Sequence, residues 1–203
     1  MYPLFESIRV EGGQLHLLHY HQDRMARAYN QLYKKKCPWK LEAMLLNLPR
    51  TGLHKLRFLY NDQNFSYEIA SYQTRTITSL KLFEIGDYRY DLKFTNRSFL
   101  NEAFSLRGSC DDVLMTRKGY ITDTSYCNII LFDGVQWVTP AQPLFEGVQR
   151  QFLLDQKTIV SQQIHTSELY NFQSFMLVNV MRIFDKRFLL STERIQKTTS
   201  KTS

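Results

Sequence analysis

A chain of 203 residues can build one large domain or two small ones sharing an interface, and 43% hydrophobic residues, with 14 Phe and 12 Tyr, suffice for a packed core. No apolar run approaches the roughly 20 residues of a spanning helix, and the start MYPLFESIRV lacks a basic stretch leading into an apolar one, so neither a membrane span nor a signal peptide is expected. Cys37, Cys110 and Cys127 are odd in number and scattered, which speaks against a disulfide frame or a zinc cluster and for a cytoplasmic protein. The net charge of +7 raises the question of nucleic acid. Apart from Lys34-Lys35-Lys36 and the tail residues Lys197 and Lys201, however, the basic residues are dispersed, and no nucleic-acid module signature is present. A basic surface also suits small anionic substrates, and that is the expectation here, with no nucleic acid and no membrane as partner.

Phe5 to Val10 is predicted as a strand, Glu11-Gly12-Gly13 as a tight turn, and Gln14 to Leu18 as the returning strand. Met25, Ala28, Tyr29, Leu32 and Tyr33 fall at helical spacing and predict a helix from about Gln22 to Lys35. Leu41, Met44, Leu45 and Leu48 mark a second helix, ended by Pro49 and Gly52. Leu56 to Tyr60 and Phe65 to Ser71 alternate as strands, and Thr76 to Phe83 is predicted as another. Tyr90 to Arg97 follows as a strand with Tyr90, Leu92 and Phe94 on one face, then a helix from Ser98 to Leu106.

The second half is strand-rich. Val113 to Thr116 and Tyr120 to Thr122 flank the turn Arg117-Lys118-Gly119, while Asn128 to Phe132 and Val135 to Val138 flank the hairpin signal Asp133-Gly134. Gly147-Val148-Gln149-Arg150 leads into a helix through about Gln156. Ile159 to Ile164, a helical turn from Ser167, Phe175 to Val180, and a closing strand or hairpin arm from Met181 to Leu190 complete the pattern. The expected organisation is a small N-terminal α/β domain (1–85), a larger strand-rich C-terminal domain (86–191) and a polar, disordered tail (192–203).

Lys93 is a single ammonium in an apolar stretch ahead of a helix. A lone lysine there is ordinarily a solvent-facing residue on a half-buried strand. The alternative is a Schiff-base lysine, which needs a rigid mount, partial desolvation and a cofactor aldehyde within reach. The rest of the chain bears on the choice. Lys93-Phe94-Thr95-Asn96-Arg97 fits a K-x-x-x-R pattern, and Gly119-Tyr120-Ile121-Thr122-Asp123 through Asn128 is similar to a GxVxE…N segment. Phe5-Glu6-Ser7-Ile8-Arg9 is similar to FETxR, His21-Gln22-Asp23-Arg24 to HxxR, and Gly147-Val148-Gln149-Arg150 to G[IV]xR. Together, in this order, these segments resemble the class IV aminotransferase family, the fold type IV pyridoxal-phosphate enzymes.

The resemblance implies an α/β (α+β) fold of two domains with pyridoxal 5'-phosphate between them, in a homodimer whose interface completes each site. It implies Lys93 as the Schiff-base lysine and Asp123 as the acid at the cofactor's pyridine nitrogen, where a carboxylate keeps the ring protonated and able to accept electrons. It further implies that Arg24, Thr124, Ser125 and the Gly147-Val148-Gln149 turn bind the cofactor phosphate, the turn through the N–H groups of a helix start. Arg9, Arg57, Tyr60 and Arg97 are candidate ligands for a substrate carboxylate. Three departures stand out: the family's extra strand and FGDG-like segment ahead of FETxR have no counterpart before Met1-Tyr2-Pro3, Asp123 replaces a glutamate, and Gln149 replaces a threonine. The shortened N-terminus is expected to leave substrate recognition trimmed or supplied differently. The expected activity is that of 4-amino-4-deoxychorismate lyase; a branched-chain or D-amino-acid aminotransferase is the alternative, and a non-catalytic binding scaffold a further one.

Overall fold

The structure, a computed structural model, describes residues 2–44 and 47–196; Leu45 and the tail from Lys197 onward lie outside the described residues. The chain divides into two compact units that are not contiguous in sequence. The first comprises Met1–Thr74, Tyr90–Asn96 and Val180–Arg182, and the second Arg75–Arg89, Arg97–Asn179 and Ile183–Ser203.

In the first unit, β1 (Leu4–Glu11) and β2 (Gln14–Leu15) form a hairpin, α1 (Leu18–Tyr33) and the short α2 (Leu41–Met44) follow, and β3 (Leu53–Tyr60) and β4 (Phe65–Ser71) complete an antiparallel sheet in the order β2-β1-β3-β4. The register pairs Glu6 with Phe58, Ser7 with Arg57 and Arg9 with Lys55. Strand alternation puts Leu4, Ile8 and Val10 on one face with Leu56, Phe58 and Tyr60, all of them fully buried. Met25, Ala28 and Tyr29 of α1 join these residues in one apolar cluster. Burying each such side chain is worth about 1.5–3 kcal/mol. The returning strand is shorter than predicted, because Leu17 adopts a left-handed conformation (φ 54°) and the helix begins at Leu18. Lys34, also left-handed, ends the helix with its N–H on the Asn30 carbonyl at 2.8 Å.

In the second unit, β5 (Leu80–Glu84), α3 (Ser98–Ser105), β6 (Asp112–Arg117), β7 (Tyr120–Thr124), β8 (Asn128–Phe132), β9 (Trp137–Pro140), α4 (Val148–Asp155), β10 (Val160–Gln162), β11 (Ser174–Val178), β12 (Leu190–Ser191) and β13 (Ile195–Gln196) follow in order. The strands run β10-β9-β8-β7-β6-β5-β13, and β11 lies against β8 and β12. The β8 strand is the branch point. All five of its residues pair with β11, while Asn128 also pairs with Asp123 of β7, and Leu131 and Phe132 with β9. Thus β7 and β9 part company along β8, and the parting begins at Asn128.

Three expectations are corrected. The Tyr90–Arg97 stretch is not a strand: Phe94 N–H turns back to the Leu92 carbonyl (2.8 Å), and only Phe94 bridges to Leu4. Its alternation survives in part, with Tyr90 and Leu92 buried, because Phe5 N–H donates to the Lys93 carbonyl and Thr95 N–H to the Pro3 carbonyl. This stitching places the stretch in the first unit. The Met181–Leu190 arm is irregular: Arg182 makes an isolated bridge, a 3-10 turn follows at Lys186–Phe188, and the arm joins a strand only at Leu190–Ser191. The predicted disordered tail is ordered at its start: Thr192 Oγ1 donates to the Phe172 carbonyl, and Ile195, 1% exposed, joins the core beside Leu80.

Candidate active site

Glu6 is the one carboxylate in the apolar row of β1, and it is 1% exposed. An isolated charge there would cost several kcal/mol. Two residues of α1, three apart and therefore on one face, supply its partners. Arg24 donates from Nε to Glu6 Oε1 at 3.0 Å and from Nη2 to Oε2, and His21 Nδ1 lies 2.7 Å from Oε2. Burial pushes the Glu6 carboxyl up, but the Arg24 charge and the His21 hydrogen bond prevail and hold it at about 2. Burial also drives the His21 imidazole below its ordinary value despite Glu6. A neutral His21 that donates Nδ1–H to Glu6 has its acceptor at Nε2, which is buried and has no partner.

The other face of β1 carries Phe5, Ser7 and Arg9. Lys93 Nζ lies 4.8 Å from the Phe5 ring centroid and Arg57 Cζ 5.0 Å from it, within cation–π range. Lys93 is half-buried, and its charge is felt at His21. Arg57 also lies 3.8 Å from Glu68. Lys93 and Arg57 are therefore brought together, whereas Tyr60, three residues along β3, points into the core with Glu6. Tyr60 is fully buried, its hydroxyl has no partner, and burial drives the phenol far above its usual value. Its hydroxyl thus lies on the core side of the sheet, away from the face that carries Arg57. Arg9 is committed to Glu11, at 2.6 and 3.1 Å, and to the Met181 carbonyl.

In the second unit Asp123 is 4% exposed at the branch point of the sheet. Its Oδ1 accepts from Asn128 Nδ2 at 2.6 Å and its Oδ2 from Phe145 N–H at 2.7 Å. Asn128 Nδ2 also donates to the Phe145 carbonyl at 2.9 Å, so the amide ties strand and loop together. Burial outweighs these donors and the field of Arg150, and the Asp123 carboxyl is pushed up to about 7. Among the described residues no Lys, Arg or His lies within ion-pair distance of it.

Gly147 caps α4 without a side-chain bond, leaving first-turn N–H groups such as those of Val148 and Gln149 without intrahelical acceptors. A side chain at Gly147 has no room, since a Cβ there would stand 2.1 Å from Asn128 Oδ1. Arg150 pins this helix start by donating to Thr139 Oγ1 and the Pro140 carbonyl. The hydroxyls of Thr124 and Ser125 are engaged locally. Thr124 Oγ1 donates to the Cys127 carbonyl and Ser125 Oγ to Asp112 Oδ1 at 2.5 Å, so their hydroxyl protons serve the turn between β7 and β8 rather than an anion. Arg97 stacks on Tyr126 at 4.6 Å and donates to the Ser125 carbonyl.

Glu6, His21, Asn128 and the Phe145 amide are functional candidates to which the motifs gave no roles. The signal for Glu6 was a carboxylate breaking an apolar alternation, and for His21 its i, i+3 spacing from Arg24. The residues fit pyridoxal phosphate: a buried, anchored carboxyl with no ion-pair partner among the described residues suits a protonated ring nitrogen, and an uncapped helix start suits a phosphate.

Residues 3–184 match the family described as amino-transferase class IV, and the chain belongs to that family. An uncharacterized protein of Haemophilus influenzae (strain ATCC 51907 / DSM 11121 / KW20 / Rd) is 31% identical over 185 residues, which span 89% of this chain and 98% of the relative. Among solved structures, a putative 4-amino-4-deoxychorismate lyase from Haemophilus somnus 129pt is 32% identical, with a TM-score of 0.84 over 91% of this chain and 98% of its own. A putative amino-acid aminotransferase from Mesorhizobium loti shares the fold at 20% identity and a TM-score of 0.77, over 98% of this chain and 100% of its own. A hypothetical aminotransferase from Mycobacterium tuberculosis, in its PLP-bound form, shares it at 14% identity and a TM-score of 0.71, over 97% of this chain and 83% of its own. Among the described residues no helix is long and apolar enough to cross a membrane.

Proposed function

We propose that this chain is a pyridoxal-phosphate-dependent enzyme and, more narrowly, a 4-amino-4-deoxychorismate lyase that releases p-aminobenzoate and pyruvate. The observation that carries the cofactor reading is the Asp123 carboxyl, buried, fixed by Asn128 and Phe145 and, among the described residues, in no ion pair. The lyase reading is supported by the 32% identical solved relative of that name. When bound, pyridoxal phosphate supplies an electron sink for the charge left as the substrate α-carbon loses its proton.

Lys93 would hold the cofactor covalently through Nζ and, once freed, carry the proton from the α-carbon as general base. Asp123 keeps a proton on the ring nitrogen. Arg24 and the N–H groups of Val148 and Gln149 hold the phosphate. Arg57, which shares the Phe5 ring with Lys93, is the first choice for a substrate carboxylate. Arg9 and Arg97 rank below it because their guanidinium groups already serve Glu11 and Ser125. A homodimer in the cytoplasm goes with this reading. The test is incubation with aminodeoxychorismate and cofactor but no keto-acid acceptor. The lyase forms p-aminobenzoate and pyruvate under these conditions. No product without an acceptor, but amino-group transfer once one is added, gives the aminotransferase instead.

A further inference from the structure

A guanidinium that must grip an anion has first to be held. Arg24 is 9% exposed, and the Nε–Nη2 edge of its guanidinium lies against Glu6. That carboxylate gains nothing for the core as such. It stands in a row with Leu4, Ile8 and Val10, where an apolar residue would avoid the desolvation cost altogether. It is nonetheless fully engaged, with Oε1 on Arg24 and Oε2 on both Arg24 and His21. The fork–fork geometry fixes the plane of the guanidinium as well as its position, which a single bond would not do. His21, one helical turn before Arg24 and completely buried, braces the far oxygen of the same carboxylate.

We propose that Glu6 is the positioning residue of the anion-binding site: it orients Arg24 toward the phosphate, and His21 holds Glu6 for that task. The proposal rests on the cofactor reading, in which Arg24 is a phosphate ligand. Glu6 touches neither phosphate nor substrate, and its effect passes through Arg24 alone.

A residue that merely keeps the core intact would act on every ligand alike. The affinities to measure are those for pyridoxal phosphate, pyridoxal and inorganic phosphate, by equilibrium titration, in the wild type, Glu6→Gln, Arg24→Met and the double variant, each with its melting temperature. Glu6→Gln is expected to weaken pyridoxal phosphate and inorganic phosphate by about tenfold or more, the size typical of removing a partner that orients a ligand-binding group, and to leave pyridoxal unchanged. In the Arg24→Met background the Glu6→Gln change is expected to do nothing further to either anion, because its route is already gone.

Additive losses in the double variant, or equal losses for pyridoxal, overturn the proposal in favour of a general structural role. Glu6→Gln leaves the Arg24 charge buried without its carboxylate, so Glu6→Asp is the second variant should the first fail to fold. Retaining the charge one methylene short, it is expected to fold and to lose several-fold in anion affinity; wild-type affinity there also overturns the proposal. Failure of the cofactor reading looks different. The wild type would then bind inorganic phosphate in a Glu6-dependent way without preferring pyridoxal phosphate over pyridoxal, which supports the role of Glu6 while removing the cofactor.

Discussion

Replacing Asp123 by Asn removes a titrating group and little else. The amide has nearly the shape of the carboxyl, and its oxygen can still accept from Asn128 or from Phe145 N–H. In the folded, cofactor-free protein the Asp123 carboxyl titrates at about 7, against its ordinary 3.8. A carboxyl whose folded value is raised binds its proton more tightly in the folded state. Its contribution to stability is therefore full at low pH and is lost as pH rises from 3.8 through about 7. Over the window from pH 5 to pH 8 the loss integrates to about 3 kcal/mol, at about 1.36 kcal/mol per pH unit while the two states differ by nearly one proton. His21, lowered by burial, slopes the other way below its ordinary value of 6.5, and Asp112 is raised by burial as Asp123 is. Both are present in each protein and cancel in the difference. Urea unfolding of the wild type and Asp123→Asn at pH 5, 6, 7 and 8 measures that difference directly. The variant is expected to gain on the wild type by about 3 kcal/mol from the lowest pH to the highest. Parallel curves would show that Asp123 is not held protonated by burial, and the electrostatic case for a cationic ring beside it would go with them.

Two further outcomes follow from the geometry. Gly147→Ala forces a methyl into the space of Asn128 Oδ1, whose side chain is pinned by Asp123 and Phe145; a loss of about 1–3 kcal/mol by thermal or urea unfolding is expected, and wild-type stability would contradict the tight approach. Tyr60→Phe deletes a buried hydroxyl with no partner and is expected to hold or raise stability by up to about 1 kcal/mol while leaving the KM for aminodeoxychorismate unchanged. A several-fold rise in that KM would return Tyr60 to the substrate site.

Much of the fold was legible because period and composition agree with it. Phe65–Ser71 and Asn128–Phe132 occur with the predicted limits, since strand alternation in the first and a β-branched apolar run in the second end at turn residues. Ser98–Ser105 differs from its prediction by one residue. Tyr90–Arg97 escaped because its backbone bonds go to residues near the N-terminus, a long-range choice that alternation cannot express. The start of the tail escaped because two residues, Ile195 and Gln196, suffice to pair with Leu80 and Lys81. At the site, the motif resemblance named Lys93, Asp123 and the Gly147 turn as candidates. It could not reveal that Thr124 and Ser125 spend their hydroxyl protons inside their own turn, nor that Arg57 and Tyr60 face opposite sides of one strand although both alternate correctly. Hydrogen-bond partners are a property of the folded neighbourhood; Glu6, a charge in an apolar row, carried a signal that it must have some, but the motifs gave it no role.

The most direct test of the account is where the cofactor becomes attached. The protein is incubated with pyridoxal phosphate, reduced with borohydride, digested and analysed by peptide mass spectrometry. A single phosphopyridoxyl label on Lys93, absent from Lys93→Ala, is the predicted result. No label, or a label spread over surface lysines such as Lys34 to Lys36 with Lys93 unmodified, would contradict it.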